Sequence, residues 1–198
     1  IDAVIARSLV QQKDISFVTV GDELCKILEQ GWKNEKRVLT RSGVWSIRET
    51  LTFLNEVDFV IGPETGVLNA ASTLPCRKIV YLSHSSVENL TKHWVNTKSL
   101  SGSPPCFPCH RMHNGNKHCN TDNHTGAAQC AVFDPTYIVE DINEHILRTI
   151  TASSAGSRDS RMHYWRGRSL TSKTHVAQDL MCNQAPWVIA VLAGWFPS

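Results

Sequence analysis

Asp58-Phe59-Val60-Ile61-Gly62-Pro63-Glu64-Thr65-Gly66-Val67-Leu68-Asn69-Ala70-Ala71 runs from an apolar stretch of strand length, through a Gly-Pro break, into small residues of helical character. A strand that passes so directly into a helix belongs to an α/β architecture. Thr65 is placed to act as the N-cap. The backbone N–H groups of Gly66, Val67 and Leu68 are then expected to stand unpaired above the strand's carboxyl end. Anions are favoured there by hydrogen bonding and by the helix dipole. Gly66 has no Cβ and lets a ligand approach the backbone, and Glu64 is placed to accept bonds from sugar or ribose hydroxyls. An ordinary strand-to-helix connection would show the same bare pattern.

On either side of this stretch, residues 1–83 alternate between helical and strand periodicity. Val4, Ile5 and Leu9 form one helical stripe, residues 15–20 a strand, Leu24, Ile27 and Leu28 a second stripe, and residues 37–40 a short strand. Ile47, Leu51 and Leu54 recur on successive helical turns before the strand at 58–62. Val67, Ala70, Ala71 and Leu74 then give a helical face and residues 78–82 another strand. Such alternation predicts a parallel sheet with helices on both faces. Ligands bind such sheets beyond the carboxyl ends of the strands. Gly21-Asp22, Arg41-Ser42-Gly43, residues 62–66 and residues 83–86 are all expected on that rim. His84 lies just past a strand end, within reach of a ligand, whereas His93 beside Trp94 reads as a packing or surface residue. There is no nucleophile elbow and no arguable Ser-His-Asp or Cys-His order.

The chain has 198 residues, 41% of them hydrophobic, which is enough for one core of moderate size. A net charge of +2 without a basic run gives no support for nucleic-acid binding. No apolar run approaches the ~20 residues of a membrane span, no signal peptide is visible, and a cytoplasmic location is expected. The chain opens at Ile1 in the middle of an amphipathic helix, so the natural amino terminus is expected to lie upstream. The 7 cysteines are an odd number, and Cys25 and Cys76 fall in regular elements, which argues against a secreted disulfide scaffold.

Past Thr91 the pattern gives way to a Ser/Gly/Pro stretch and then to a Cys/His-rich insert within 101–130. It holds Cys106-Phe107-Pro108-Cys109, Cys119 and Cys130, with His110, His113, His118 and His124 nearby. Cys106 and Cys109 have zinc-ligand spacing, but Cys119 and Cys130 do not form a close second pair. A structural zinc, a set of reduced thiols and a labile disulfide all remain open. A helix resumes near Pro135, with Ile138, Ile142, Ile146, Leu147 and Ile150 on one face and Asp141 and Glu144 on another. Residues 155–198 are poorly patterned until an apolar run at 187–195. From 151 onward there are five basic residues against two acidic ones, with half of the tryptophans. This tail is expected to be weakly ordered, or a read-through or frame-shifted extension.

The segment from Val57 to Trp94, with the Cys insert and the helix after it, resembles the carboxyl-terminal half of the family 9 glycosyltransferases, the ADP-heptose:lipopolysaccharide heptosyltransferase group. The likeness rests on Glu64-Thr65-Gly66 at the strand end, Pro75 and the strand after it, Cys106-Phe107-Pro108-Cys109 with the later cysteines, and Phe17-Val18-Thr19-Val20-Gly21-Asp22-Glu23 upstream. Glu64 stands where the family has Asp, and Asn69 where it has His. The resemblance covers roughly residues 1–151 and implies a Rossmann-like donor-binding domain over 1–154, one half of a GT-B fold and incomplete at its amino terminus. It implies a metal-independent, inverting transfer from a nucleotide-diphosphate sugar to a saccharide or glycolipid acceptor such as lipopolysaccharide core, with no cofactor beyond a structural zinc. The donor would be held by Glu64, Thr65, Gly66, Val67, Leu68, Asn69, Gly21, Glu23 and His84, with any zinc on Cys106, Cys109, Cys119 and Cys130. The catalytic base would belong to an amino-terminal domain outside this chain, leaving the fragment alone inactive. The rival readings are another GT-B-type nucleotide-sugar enzyme and a non-enzymatic, zinc-stabilised binding module.

Overall fold

The computed structural model describes residues 2–110, 119–124, 126–154 and 187–192. Helix α1 (Asp2–Gln11) leads into β1 (Ile15–Val20), then α2 (Lys26–Glu29) between two 3-10 turns, β2 (Val38–Thr40) and α3 (Ile47–Phe53). Next come β3 (Phe59–Pro63), α4 (Gly66–Ala70), β4 (Arg77–Leu82), a π-helical turn (Val87–Thr91), β5 (Thr97–Ser101), α5 (Pro135–Ser154) and β6 (Trp187–Leu192). The six strands form one parallel sheet in the order β2-β1-β6-β3-β4-β5, an α/β fold of the Rossmann-like kind. No helix among the described residues is long and apolar enough to cross a membrane.

The strands read as continuous apolar runs because both faces of the sheet are covered. All six residues of β1 and all five of β3 are buried. One face packs Phe17, Phe59, Ile61, Ile79, Ile189 and Val191 against Val4, Ile5 and Leu9 of α1 and Ile138, Ile142 and Ile146 of α5. The other packs Val18, Val60, Val80, Leu82 and Ala190 against Phe53 and Leu54 and against Leu68 and Ala71. A Ser46/Glu49 capping box starts α3.

The stretch read as a poorly patterned tail supplies the strand at the centre. β6 pairs with β1 from Ile15↔Trp187 to Val20↔Leu192 and with β3 through Phe59↔Ile189, Val60↔Ala190 and Ile61↔Val191. Its six apolar residues are what a strand buried on both faces requires. The remaining tail residues lie outside the described ones.

Three other expectations are corrected. Leu24, Ile27 and Leu28 are exposed, and the inward positions of that turn are Cys25 and Glu29. Glu29 faces inward because its Oε1 accepts from the Thr19 hydroxyl (2.5 Å) and the Ser42 N–H (3.0 Å). In α3 Leu51 and Leu54 face the core as expected, but Ile47 is exposed and Thr50 and Phe53 are buried beside them. On α5, Leu147 is exposed and Asp141 is buried, because Arg77 and Lys98 from β4 and β5 meet it at 3.0 and 3.2 Å. β5 itself escapes the periodicity test because Thr-Lys-Ser-Leu-Ser is the polar sequence of an edge strand.

Truncation after residue 186 removes the central strand and is expected to abolish cooperative thermal unfolding followed by circular dichroism. An unchanged melting temperature would contradict the topology. For Asp141, burial pushes the carboxyl up, but the Arg77 hydrogen bonds and charge, with Lys98, outweigh it and hold the group below its ordinary value. Its stabilisation is present above the unfolded-state value and is lost as pH falls through the depressed folded value. Asp141→Asn is expected to cost about 2 kcal/mol near neutral pH, with the gap to wild type closing in acid, as read by urea unfolding at a series of pH values.

Candidate functional site

With every strand parallel, all the carboxyl ends fall on one edge of the sheet, and the loops at 21–23, 41–43, 64–66 and 83–86 stand along it. The strand order divides that rim. The loops after β1 and β2 lie on one side of β6, and those after β3 and β4 on the other. At the usual strand spacing the β1 and β3 ends are roughly 10 Å apart, so Gly21 and Glu23 belong to a different part of the rim from Glu64 and His84.

At the β3 end, Thr65 is extended (φ −110°, ψ 159°) and caps α4, its hydroxyl accepting from the Leu68 N–H at 3.3 Å and its carbonyl from the Asn69 N–H at 2.9 Å. The cap therefore takes the Leu68 N–H that the sequence reading left unpaired. The N–H groups of Gly66 and Val67 remain without a partner among the described residues. Leu68 points its side chain into the core, Val67 is half-buried and Asn69 is exposed. Gly66 is exposed, and a Cβ added there would meet nothing within 4 Å. The glycine is not demanded by neighbouring protein atoms.

Glu64 has a different part from the one expected. Its side chain is 5% exposed and turns across to the neighbouring strand end. Oε2 accepts from the Ser83 N–H (3.2 Å), the Ser83 hydroxyl (3.0 Å) and the His84 N–H (3.2 Å), and Oε1 from the Ser85 N–H (2.9 Å). His84 Nδ1 completes the set at 2.6 Å from Oε2. A carboxylate so occupied has little capacity left for sugar hydroxyls. It is a positioning residue, fastening the β4 loop to the β3 turn. The pairing also selects the His84 tautomer that carries its proton on Nδ1, so Nε2 is the atom left to a ligand on this 45% exposed side chain.

At the other end of the rim, the Gly21 carbonyl accepts from the Gly43 N–H at 2.9 Å, and Glu23 pairs with Lys26 at 2.7 Å. Gly43 has φ +64°, and a Cβ there would collide with Glu23, so this corner requires glycine. A pocket of ≈ 260 Å³ opens beside it, lined by Lys26, Lys33, Thr40, Ser42 and the buried Glu29. Sequence reasoning missed Glu29 because a single Glu in a short turn carries no signal of burial.

None of the described cysteines forms a disulfide. Cys25 and Cys76 are buried in the core, and burial, followed by the Asp22 hydrogen bond, pushes the Cys25 thiol up to about 11, the state of an inert thiol. Cys106, Cys109, Cys119 and Cys130 are all at least partly accessible. As their side chains stand, no three His, Cys, Asp or Glu residues among the described ones converge to hold a metal. His113 and His118 lie outside the described residues.

Glu64→Ala leaves the N–H groups of Ser83, His84 and Ser85 without their acceptor, at about 1–3 kcal/mol for each that water does not reach. Amide hydrogen exchange at Ser83–Ser85 is expected to accelerate at least tenfold while the amides of β1 keep their protection, and unchanged exchange would refute the fastening role. No family model, curated protein or solved structure matches this chain, so the assignment of function rests on the rim itself.

Proposed function

We propose that the strand-end rim binds a nucleotide-diphosphate sugar and presents it for glycosyl transfer to a saccharide or glycolipid acceptor, such as a lipopolysaccharide core. The observation that carries this reading is the juxtaposition on adjacent strand ends of two N–H groups without a partner among the described residues, Gly66 and Val67, and a carboxylate-bound imidazole, His84. As the bond from anomeric carbon to phosphate oxygen breaks, negative charge accumulates on the departing diphosphate. Fixed N–H donors stabilise that charge more in the transition state than in the ground state. His84 contributes through Nε2, as a hydrogen-bond donor to a phosphate oxygen when protonated and an acceptor from a sugar hydroxyl when neutral. Thr65 holds the turn in shape, and the exposed Asn69 offers an amide to the sugar. Gly21 and Glu23, across β6, suit the nucleotide end better than the reacting bond. Transfer requires both reactants held in a closed cleft. The acceptor and the general base therefore belong to surfaces beyond this rim.

Calorimetric titration with a panel of nucleotide-diphosphate sugars tests the reading. Gly66→Asp is the sharpest variant, because an acidic residue in the first helical turn is tolerated by the fold while its charge repels a phosphate. At least tenfold weaker binding is expected for Gly66→Asp and for His84→Gln, with melting temperatures close to wild type. Absence of binding by the wild-type chain, or equal affinity in all three proteins, would overturn the proposal.

A further inference from the structure

Glu29 differs from the other buried carboxylates in what it leaves unused. Glu64 and Asp141 engage both of their oxygens. Glu29, 6% exposed, engages one: Oε1 accepts from the Thr19 hydroxyl and the Ser42 N–H, and Oε2 has no donor among the described residues. Unlike the unpartnered hydroxyl of the neighbouring Ser42, Oε2 is not sealed from solvent, and Glu29 lines the ≈ 260 Å³ pocket between α2 and the end of β2. A largely desolvated carboxylate with a free oxygen and only neutral donors gains from any cation or further donor that reaches it.

The other walls limit what that ligand is. Lys26, Gln30 and Lys33 come from α2 and the 3-10 turn after it, and Thr40, Ser42 and Val44 alternate along the end of β2 and its loop. Lys26 is engaged by Glu23 at 2.7 Å. Lys33 is exposed and has no carboxylate partner among the described residues. The pocket therefore combines an acceptor on its buried side with one unpaired ammonium on its solvent side. Its volume is below the roughly 300–1,000 Å³ of sites for drug-sized ligands, too small for a nucleotide-diphosphate sugar.

We propose that this pocket binds a small zwitterion of the α-amino acid class, its ammonium on Glu29 Oε2 and its carboxylate on Lys33. An ammonium is a better complement than a hydroxyl because Oε1 already has two neutral donors, while the negative charge of the group has no cation in contact among the described residues. Both contacts are charge-assisted hydrogen bonds, the stronger kind. One unpaired lysine matches the single charge of a carboxylate, whereas a phosphate carries close to two. The pocket shares no residue with the turn at 64–66 or the loop at 83–86. The inference therefore does not rest on the function proposed for that end of the rim.

The test titrates the whole, isotope-labelled chain with the common L-amino acids, following amide chemical shifts and, for any that bind, heat by calorimetry. At least one is expected to bind saturably, with shifts confined to residues 26–33 and 40–44 and none at 64–66 or 83–86. The amine that lacks the carboxylate of the bound amino acid is expected to bind about tenfold more weakly or worse. Glu29→Gln keeps an acceptor for Thr19 and Ser42 but removes the charge, and Lys33→Gln removes the solvent-side ammonium; each is expected to weaken binding by about tenfold or more. If Glu29→Gln loses the fold by circular dichroism, Lys33→Gln decides, because an exposed side chain without a partner does not support the fold. No saturable binding by any amino acid, tighter binding of inorganic phosphate, shifts at 83–86 in place of 26–33, or unchanged affinity in Lys33→Gln would each overturn the proposal.

Discussion

β1 and β3 exchange no hydrogen bonds with each other, because β6 lies between them and pairs with both. Every other relation in the molecule depends on that ladder. It joins a two-stranded unit (β2-β1) to a three-stranded one (β3-β4-β5), neither of which would bury both of its faces independently. It also sets the spacing of the rim, since the loops after β1 and β3 are held two strand widths apart. Ile189 and Val191 complete the core on one face and Ala190 on the other, so one strand serves both hydrophobic layers.

Around this apolar centre, the loops and one helix are fastened by buried or nearly buried carboxylates. Glu29 ties β1 to the turn after β2, Glu64 ties the β3 turn to the loop after β4, and Asp141 docks α5 onto Arg77 and Lys98. Each accepts from two or more donors, the condition under which an acidic group is tolerated inside a protein. Lys78 follows the same rule with the opposite charge. It is fully buried, and its ammonium donates to the Leu74 and Cys76 carbonyls at 2.6 and 2.9 Å, closing the turn that follows α4. Burial pushes its pKa down, and the two carbonyls supply the solvation that water would otherwise give.

The candidate site follows from these anchors. A loop held by three backbone N–H bonds to one carboxylate presents His84 in a single orientation, and such preorganisation is what makes a polar group effective toward a charge that develops during reaction. The same carboxylate explains why a longer Glu suits this turn, since it must span from the β3 end to residues 83–85. The Cys-rich segment reaches the site from the opposite side through His110, so two structurally distinct supports converge on one short loop.

Local patterning was enough to read the alternation of elements, the parallel sheet and the Thr65 cap, because period, capping and strand-to-helix turns are properties of neighbouring residues. The inward-facing stripe of α1 was legible for the same reason. What the tertiary structure alone decided were matters of long-range pairing. Residues 187–192 enter the sheet between β1 and β3, the polar segment 97–101 becomes its edge, and Glu64 turns from solvent to the loop of the next strand. Glu29 and Asp141 are buried because donors distant in sequence reach them. None of these partners lies within a helical turn or a strand period of the residue it controls, so no reading of local sequence contains them.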